Sequence, residues 1–566
     1  MGPFLILKTE ICKSRLSGNL NFAIFNSQYL KKFLPTETTY IIGSGPTGVA
    51  AAKALLDAGR SVTMLDAGLS LEEASQQALT QTMSTPASEW DQKTLASFKS
   101  GSEATAEGIL LKLAYGSDFP YRDGDQFITS TDEIGIVPSL ARGGLSNVWG
   151  AAVLPYLPQD TADWPFEIDE LAPHYRDVLN LMGLAGTSDD LIKEFPLFVE
   201  PHDNLPTGSQ IKALLADLQR GRQSLNKRGV LFGKSRLAVA KANRYGFPCA
   251  ACRLCMYGCP YGLIYNSSDT LIDLNRDSNF SYRPNLVVKT FKESPHGVEI
   301  RAYDIEKKEE ASFFAARLFV AAGTLSTTRL VLESLEAKDK SVLLKDSQYF
   351  LLPLLRYRAP NRFDRNEPTH TLAQAFIEIL DEAVSKKSIH LQVYGYNELY
   401  REAIRHSLGP LFNLSRLVVS EFLKRFLLVQ GYLHSDYSHT IEARLLPREG
   451  DALTGKLSLK VNENQQTRST MNRLIRKLRS LRGLVRAVPL SPLLKMGPPG
   501  RGFHTGGSFP MRLAPQEFES DVLGRPYGCE RVHIVDASVF PSITASTITL
   551  TAMANAHRIA ATAAVL

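Results

Sequence analysis

The sequence predicts an α/β protein, α+β overall, and three observations predict it. Residues 39–67 hold a short β-rich apolar run, "TYIIG", then "SGPTGVAAAKALLDAG" with Ala and Leu at helical spacing, then a second run, "RSVTMLDAG", that ends in an acid. Residues 287–323, "NLVVKTF…GVEIRAYD…ARLFVAAGT", alternate as antiparallel strands do and close on a run apolar enough to be buried on both faces. Residues 340–495 mix further strands ("SIHLQVYGY", "HTIEARLLP", "GKLSLKV") with helices. At 566 residues the chain exceeds what one core usually holds, so at least two domains are expected.

The first element is a β-α-β unit with a glycine-rich turn. Gly43, Gly45 and Gly48 form G-S-G-P-T-G. The first glycine permits the tight turn, the second lets the backbone approach a pyrophosphate, and the third lets helix and strand pack closely. The helix start supplies N–H donors and a positive dipole end for that pyrophosphate. Asp66 ends the second strand, where an acid binds an adenosine ribose hydroxyl. The motif predicts dinucleotide binding and does not separate FAD from NAD. Residues 70–135 are polar and predict surface loops and helices. "DWPFEIDELAPHYRDVLNLMG" (164–184) predicts a helix with an apolar stripe, and "GTLSTTRLVLES" begins another. The chain ends in a strand and turn, "RVHIVDASVFP", followed by the helix "TITLTAMANAHRIAATAAVL".

Composition excludes several classes. The 44% hydrophobic and 22% charged content is that of a globular protein. A net charge of +6 over this length is too dilute for nucleic acid, and no nucleic-acid module is present. The start lacks a charged n-region and a cleavage site. No stretch reaches the ~18 apolar residues of a membrane span. These features predict a cytoplasmic protein. Residues 1–35 form an N-terminal leader without assignment.

Four of the six cysteines, Cys249, Cys252, Cys255 and Cys259, stand in "PCAACRLCMYGCPYG" with the spacing C-x2-C-x2-C-x3-C-P. That run holds iron–sulfur clusters in bacterial ferredoxins. Zinc is a competing reading, although paired CxxC units for zinc normally stand well apart. A disulfide pair is at odds with a cytoplasmic setting. With a single run, either all four cysteines hold a [4Fe–4S] cluster or three hold a [3Fe–4S], and the spacing leaves both open.

Three more stretches, "ARGGLSNVWGAAVLPY" (141–156), "HTGGSFPM" (504–511) and "VHIVDASVFPSITASTITLTAMANAHRIA" (532–560), resemble the glucose–methanol–choline (GMC) oxidoreductases. "DWPFEIDELAPHY" and "LFVAAGTLSTTRLVLES" are similar to the same family, and the resemblance covers about 40 to 566. It implies an FAD-binding Rossmann-like domain (36–160, 285–335 and 498–566) interleaved with a substrate-binding domain on an antiparallel sheet (161–284 and 336–497). It implies that Gly143, Gly144, Asn147 and Trp149 pass the flavin ring, that Asp536 lies near the ribityl and pyrophosphate, and that His504 faces the flavin above the substrate. Alcohol oxidation removes a hydroxyl proton and moves hydride to the flavin, and a neutral histidine suits the proton step near pH 7.

One position departs from the family. Where a second His or an Asn is usual, often followed by Pro, this chain has Thr547 and Ile548. Thr547 can hydrogen-bond a substrate oxygen but is no base. Some members are lyases that keep the flavin without net oxidation, so a lyase, or an oxidase without a cluster, is the alternative. The family often has a Cys- and Gly-rich loop without metal at the place of the cysteine run. The bacterial FAD-dependent glucose dehydrogenase type carries an iron–sulfur cluster there. A cluster passes electrons singly, which implies a dehydrogenase of a sugar-like or other small-molecule alcohol with a protein or quinone acceptor. Finally, "RSTMNRLIRKLRSLRGLVRAV" (468–488) combines an apolar stripe with a basic face, and "LFNLSRLVVSEFLKRFLLVQGYL" (411–433) is strongly apolar. Both read as packed helices, with peripheral contact at an anionic inner-membrane face as the alternative.

Overall fold

Strand β1 (Thr39–Ile42) is buried because "TYII" is β-branched and aromatic, and it pairs in parallel with β2 (Val62–Leu65) on one side and β9 (Arg317–Val320) on the other. The sheet extends through β20 (Val532–Ile534) beside β9 and β5 (Phe280–Arg283) beside β2, in the order β20-β9-β1-β2-β5. The structure is a computed structural model that describes residues 38–100, 111–337, 340–399, 405, 416–450 and 452–566. The leader, residues 1–35, lies outside the described residues. The parallel sheet draws strands from the start, middle and end of the chain. Its edge strand β5 comes from the stretch 161–284, which the sequence division gives to the substrate-binding part. A short parallel strand without a motif of its own carries no signal of its sheet.

The helix Pro46–Asp57 packs on this sheet together with the C-terminal helix Ile548–Val565. Both are rich in alanine, and Ala50, Ala51, Ala54, Ala556, Ala560 and Ala563 are buried. Their small side chains allow close helix approach, and the two helices share one apolar cluster with β1, β2 and β9. Strands β6 (Leu286–Ser294), β7 (Gly297–Asp304) and β8 (Glu309–Ala315) form an antiparallel meander leading into β9, as the alternation predicts.

Two further sheets complete the fold. One has the order β19-β10-β15-β16-β3 and comprises Thr505–Gly506, Ser341–Asp346, Thr440–Leu446, Lys456–Asn462 and Ile128–Ser130. The other is a seven-stranded antiparallel sheet ordered β17-β11-β14-β13-β12-β4, with β18 also on β11. It comprises Ala487–Pro489, Tyr349–Arg356, Phe426–Leu433, Ile389–Tyr394, Ala375–Ile379, Val230–Lys234 and Lys495–Met496. One face is apolar: Phe350, Leu352, Leu391, Val393, Leu427 and Val429 pack against helices Ser209–Arg220 and Gln465–Ser480. The other face is polar and opens on a cavity.

The basic segment 468–488 is thereby explained. Met471, Leu474 and Leu478 are buried under the sheet, while Arg476, Arg479 and Arg482 stay in solvent. Leu474 is fully buried, so Leu474→Ala should cost about 2–5 kcal/mol. A lower midpoint in urea unfolding is the expected result. The segment 411–433 is not one helix. A helix spans Arg416–Leu423 and the rest is strand β14, while 411–415 lie outside the described residues. Its apolar character comes from the central position of β14, between β11 and β13. Among the described residues no helix is long and apolar enough to cross a membrane.

Candidate active site

A cavity of about 860 Å³ lies between the carboxyl ends of the parallel strands and the polar face of the seven-stranded sheet. Crevices at strand carboxyl ends are where open α/β sheets bind ligands. The residues just after β1, β2, β9 and β20 line it, including Gly43, Asp66, Gly323 and Asp536. Gly45 caps the helix Pro46–Asp57 without a side-chain bond, and Gly45, Pro46 and Thr47 line the cavity, so the start of that helix borders it. Gly43 has φ +97°, and a Cβ there would stand 2.5 Å from the Ala321 carbonyl oxygen. A Cβ on Gly48 would stand 2.0 Å from the Gly43 carbonyl oxygen. Both glycines are required for strand and helix to meet this closely. A Cβ on Gly45 would meet nothing within 4 Å, which leaves the approach to its backbone open.

Asp66 is buried and accepts hydrogen bonds from the Ser44 hydroxyl and, at 2.9 Å, from Tyr282. Burial pushes its carboxyl up to about 6 against these bonds. Ser44 in turn accepts from the Gly143 amide at 2.9 Å, tying the 141–149 segment to the glycine turn. Gly144 and Trp149 line the cavity, and the Trp149 indole donates to Tyr265 at 2.8 Å. Gly48, Gly143 and Asn147 stand behind the wall. The Asn147 amide donates to the Arg142 and Gly144 carbonyls and accepts from Asn266, which closes the turn that presents Gly144. Asp536 accepts from the Gly323 amide (2.9 Å), the Thr327 hydroxyl and the Ser538 amide (3.0 Å), so it braces the turns after β9 and β20.

His504 lines the cavity beside Tyr432 of the seven-stranded sheet. Its ring stacks on Tyr432 with centroids 4.5 Å apart, and its Nδ1 is buried without a hydrogen-bond partner. Burial pushes its imidazole down to about 3, helped by the nearby His390. Asp346 fixes the loop, accepting from the Gly500 amide at 2.9 Å and the Thr505 hydroxyl at 3.0 Å. Thr547, at the start of the C-terminal helix, also lines the cavity, and its hydroxyl accepts from the Leu154 amide at 3.2 Å.

Sequence reasoning missed the polar face of the seven-stranded sheet. Gln392 and Tyr394 of β13 and Gln430 and Tyr432 of β14 line the cavity at alternate positions. Behind them, Glu378 of β12 lies directly opposite His390, and both are fully buried. Glu378 contacts His390 Nδ1 at 2.6 Å, His390 Nε2 contacts the Gln392 amide at 3.1 Å, and Gln392 accepts from the Tyr394 hydroxyl at 2.9 Å. The signal was present in "IHLQVY": a strand buried on both faces whose every second residue is polar.

The four cysteines of the run line one small apolar pocket with Trp90, Tyr261 and His370. Burial pushes Cys252 up to about 12 and Cys259 to about 11. A tetrahedral zinc site, with Zn–S near 2.3 Å, needs sulfurs about 3.8 Å apart. Among the described residues no three cysteines bring their sulfurs within 4.8 Å of one another, so the run lacks the spacing of a zinc site. The run abuts the cavity wall. Met256 lines the cavity, as does the half-buried Lys112, which lies near Cys255 and Cys259 and donates to the Trp149 carbonyl at 2.8 Å.

The segment holding His504, Asp536 and Thr547 also has a known pattern. Residues 500–556 match the GMC oxidoreductase family, in its C-terminal domain. The fold of the whole chain is similar to that of pyridoxine 4-oxidase from Mesorbium loti, with a TM-score of 0.56 and 15% identity, over 92% of this chain and 98% of that one. A comparison with curated protein sequences gives no match. The matched segment thus supplies His504, Asp536 and Thr547 to the cavity lining. The glycine cradle, the uncapped helix start and the buried acid at the end of β2 fit the diphosphate and ribose of FAD.

Proposed function

We propose that the chain is an FAD-dependent oxidoreductase that oxidises the CH–OH group of a sugar-like or polyol alcohol and passes the electrons to an external acceptor. The reading rests on one observation: His504, with an unpartnered Nδ1, shares its cavity with a glycine cradle built for a dinucleotide. FAD, when bound, supplies the hydride acceptor. The chain's own residues bind and orient the alcohol and take its proton. The substrate hydroxyl gives its proton to neutral His504 as the adjacent carbon gives up hydride. Gln392, Tyr394, Gln430 and Tyr432 offer an array of amide and phenol groups suited to several hydroxyls at once, which favours a sugar or polyol. Thr547 is an added contact for the substrate oxygen.

Because burial holds His504 near 3, it is neutral from pH 5 to 9. The rate of alcohol-dependent flavin bleaching should therefore show no His504 inflection in that range, measured by anaerobic stopped flow. The same shift acts on stability. The unfolded chain binds the extra proton first, so this histidine's contribution is intact above the unfolded value of about 6.5 and is lost as pH falls toward 3.

The cysteine pocket beside Lys112 and Met256 is the proposed electron exit, with the four thiols holding a [4Fe–4S] or [3Fe–4S] cluster. A bound cluster would hold its ligand sulfurs as thiolates despite their burial. Anaerobic purification with an absorption spectrum and iron and sulfide assays tests it. Broad absorption beyond the flavin bands with three to four irons per chain is the expected result. A pure flavin spectrum without iron removes the relay. Turnover with oxygen would then favour an oxidase, as pyridoxine 4-oxidase is by name, and turnover without any acceptor a lyase.

A further inference from the structure

We propose that His174, Asp177 and His557 form a binding site for a divalent borderline cation, Zn2+ foremost, that clamps two helices behind the cofactor-binding wall. His174 and Asp177 are one turn apart on the helix Ala172–Met182, so both present to the same side. His557 comes from the C-terminal helix Ile548–Val565, which packs across them. His174 Nδ1 and His557 Nδ1 are 2.9 Å apart, and His557 Nε2 lies 3.8 Å from the Asp177 carboxylate. One ligand atom from each of the three residues falls within 4.8 Å of the others, and among the described residues this is the one such group of His, Cys, Asp and Glu side chains.

The donor set selects the ion. Two imidazole nitrogens and one carboxylate oxygen suit zinc, which takes His at 2.0–2.1 Å and Asp at 2.0–2.2 Å in a tetrahedron. Tetrahedral ligands at those lengths stand about 3.4 Å apart. His557 gives an ion one nitrogen only, so its Nδ1 contact to His174 and its Nε2 contact to Asp177 do not both persist, and side-chain rotation brings the three donor atoms in from within 4.8 Å to that spacing. A hydrogen bond between neutral imidazoles is the alternative account of the 2.9 Å contact, but it gives no role to Asp177, which is half-exposed and free to swing inward. Other charges face the site. Arg558 is held by Asn555 and the Val522 carbonyl, and Lys53 is paired with Asp57. None of these blocks the carboxylate.

The ion would not take part in the alcohol chemistry. His557 is five residues along the helix from Ala552, the last residue of that helix to line the cavity, or about 7.5 Å of helix rise. Its effect is mechanical. It ties the helix that starts at Thr547 to the helix Ala172–Met182, and so restrains one wall of the cavity.

The test uses the full-length flavoprotein, stripped with a chelator, dialysed against Zn2+ and assayed for zinc and flavin. Wild type should hold one zinc more than His557→Ala, with equal flavin in both. Zinc held anywhere else on the protein is common to both and cancels in the difference. Asp177→Asn, at a half-exposed position that leaves the fold intact, should weaken that zinc at least tenfold in a competition titration. Zn2+ should raise the Tm of wild type more than that of either variant. Equal zinc content in wild type, His557→Ala and Asp177→Asn would overturn the site. If His557→Ala does not fold, Asp177→Asn and His174→Gln carry the comparison, and unchanged affinity in both overturns it.

Discussion

His504→Ala is expected to slow alcohol-dependent flavin reduction by about 10²–10⁴-fold, the usual contribution of a positioned general base. The fold should survive. The loop around position 504 is held by its neighbours, through Asp346 to Gly500 and Thr505 and through the Ser347 amide to the 504 carbonyl. These are backbone or neighbouring contacts that alanine keeps. Flavin content should stay at the wild-type level, since the cradle is built from other residues of the cavity. Anaerobic bleaching by an alcohol, followed in stopped flow at matched flavin concentration, reads the effect directly. Bleaching within a factor of about three of wild type would remove His504 as the base.

The second large effect is expected at the glycine turn. In Gly48→Ala the new methyl would stand 2.0 Å from the Gly43 carbonyl oxygen, and Gly43 cannot retreat because Ala321 is already close behind it. Helix and strand must separate, at the cost of an overpacked core, about 1–3 kcal/mol. The larger consequence is for the cofactor, because the amides at the helix start lose their aim. The purified variant should be apoprotein or nearly so, with a flavin-to-protein ratio below a tenth of wild type. Gly45→Ala separates the two causes. Its methyl meets no protein atom within 4 Å, so the fold should be unchanged while cofactor affinity falls. Full flavin in Gly48→Ala would mean that the turn does not hold the diphosphate.

What the sequence made legible follows from how far apart the determining residues lie. The β-α-β unit spans 39–67 without interruption, so period, glycine spacing and terminal acid could be read together, and the structure has the same elements. The alternation at 287–323 was equally local. His504 was legible only through resemblance, since nothing in a lone histidine says which cavity it lines. The polar face of the seven-stranded sheet was legible only as alternation in "IHLQVY", not as the wall of a cavity. Its strands come from residues 230 to 496, and their pairing is set by contacts that no window of sequence contains. The strand character of 426–433 was missed for the same reason: a central strand, buried on both faces, has no periodicity to tell it from a buried helix.

The chain from Glu378 to Tyr394 has a direction. With a carboxylate as acceptor, a neutral His390 gives it the Nδ1 proton and keeps a lone pair at Nε2. That lone pair turns the Gln392 amide nitrogen toward it, and the amide oxygen then takes the Tyr394 proton. The Tyr394 hydroxyl thus spends its proton on Gln392. A carboxyl group two residues behind the wall is thereby linked, through one imidazole and one amide, to the direction in which a phenol at the wall points its proton.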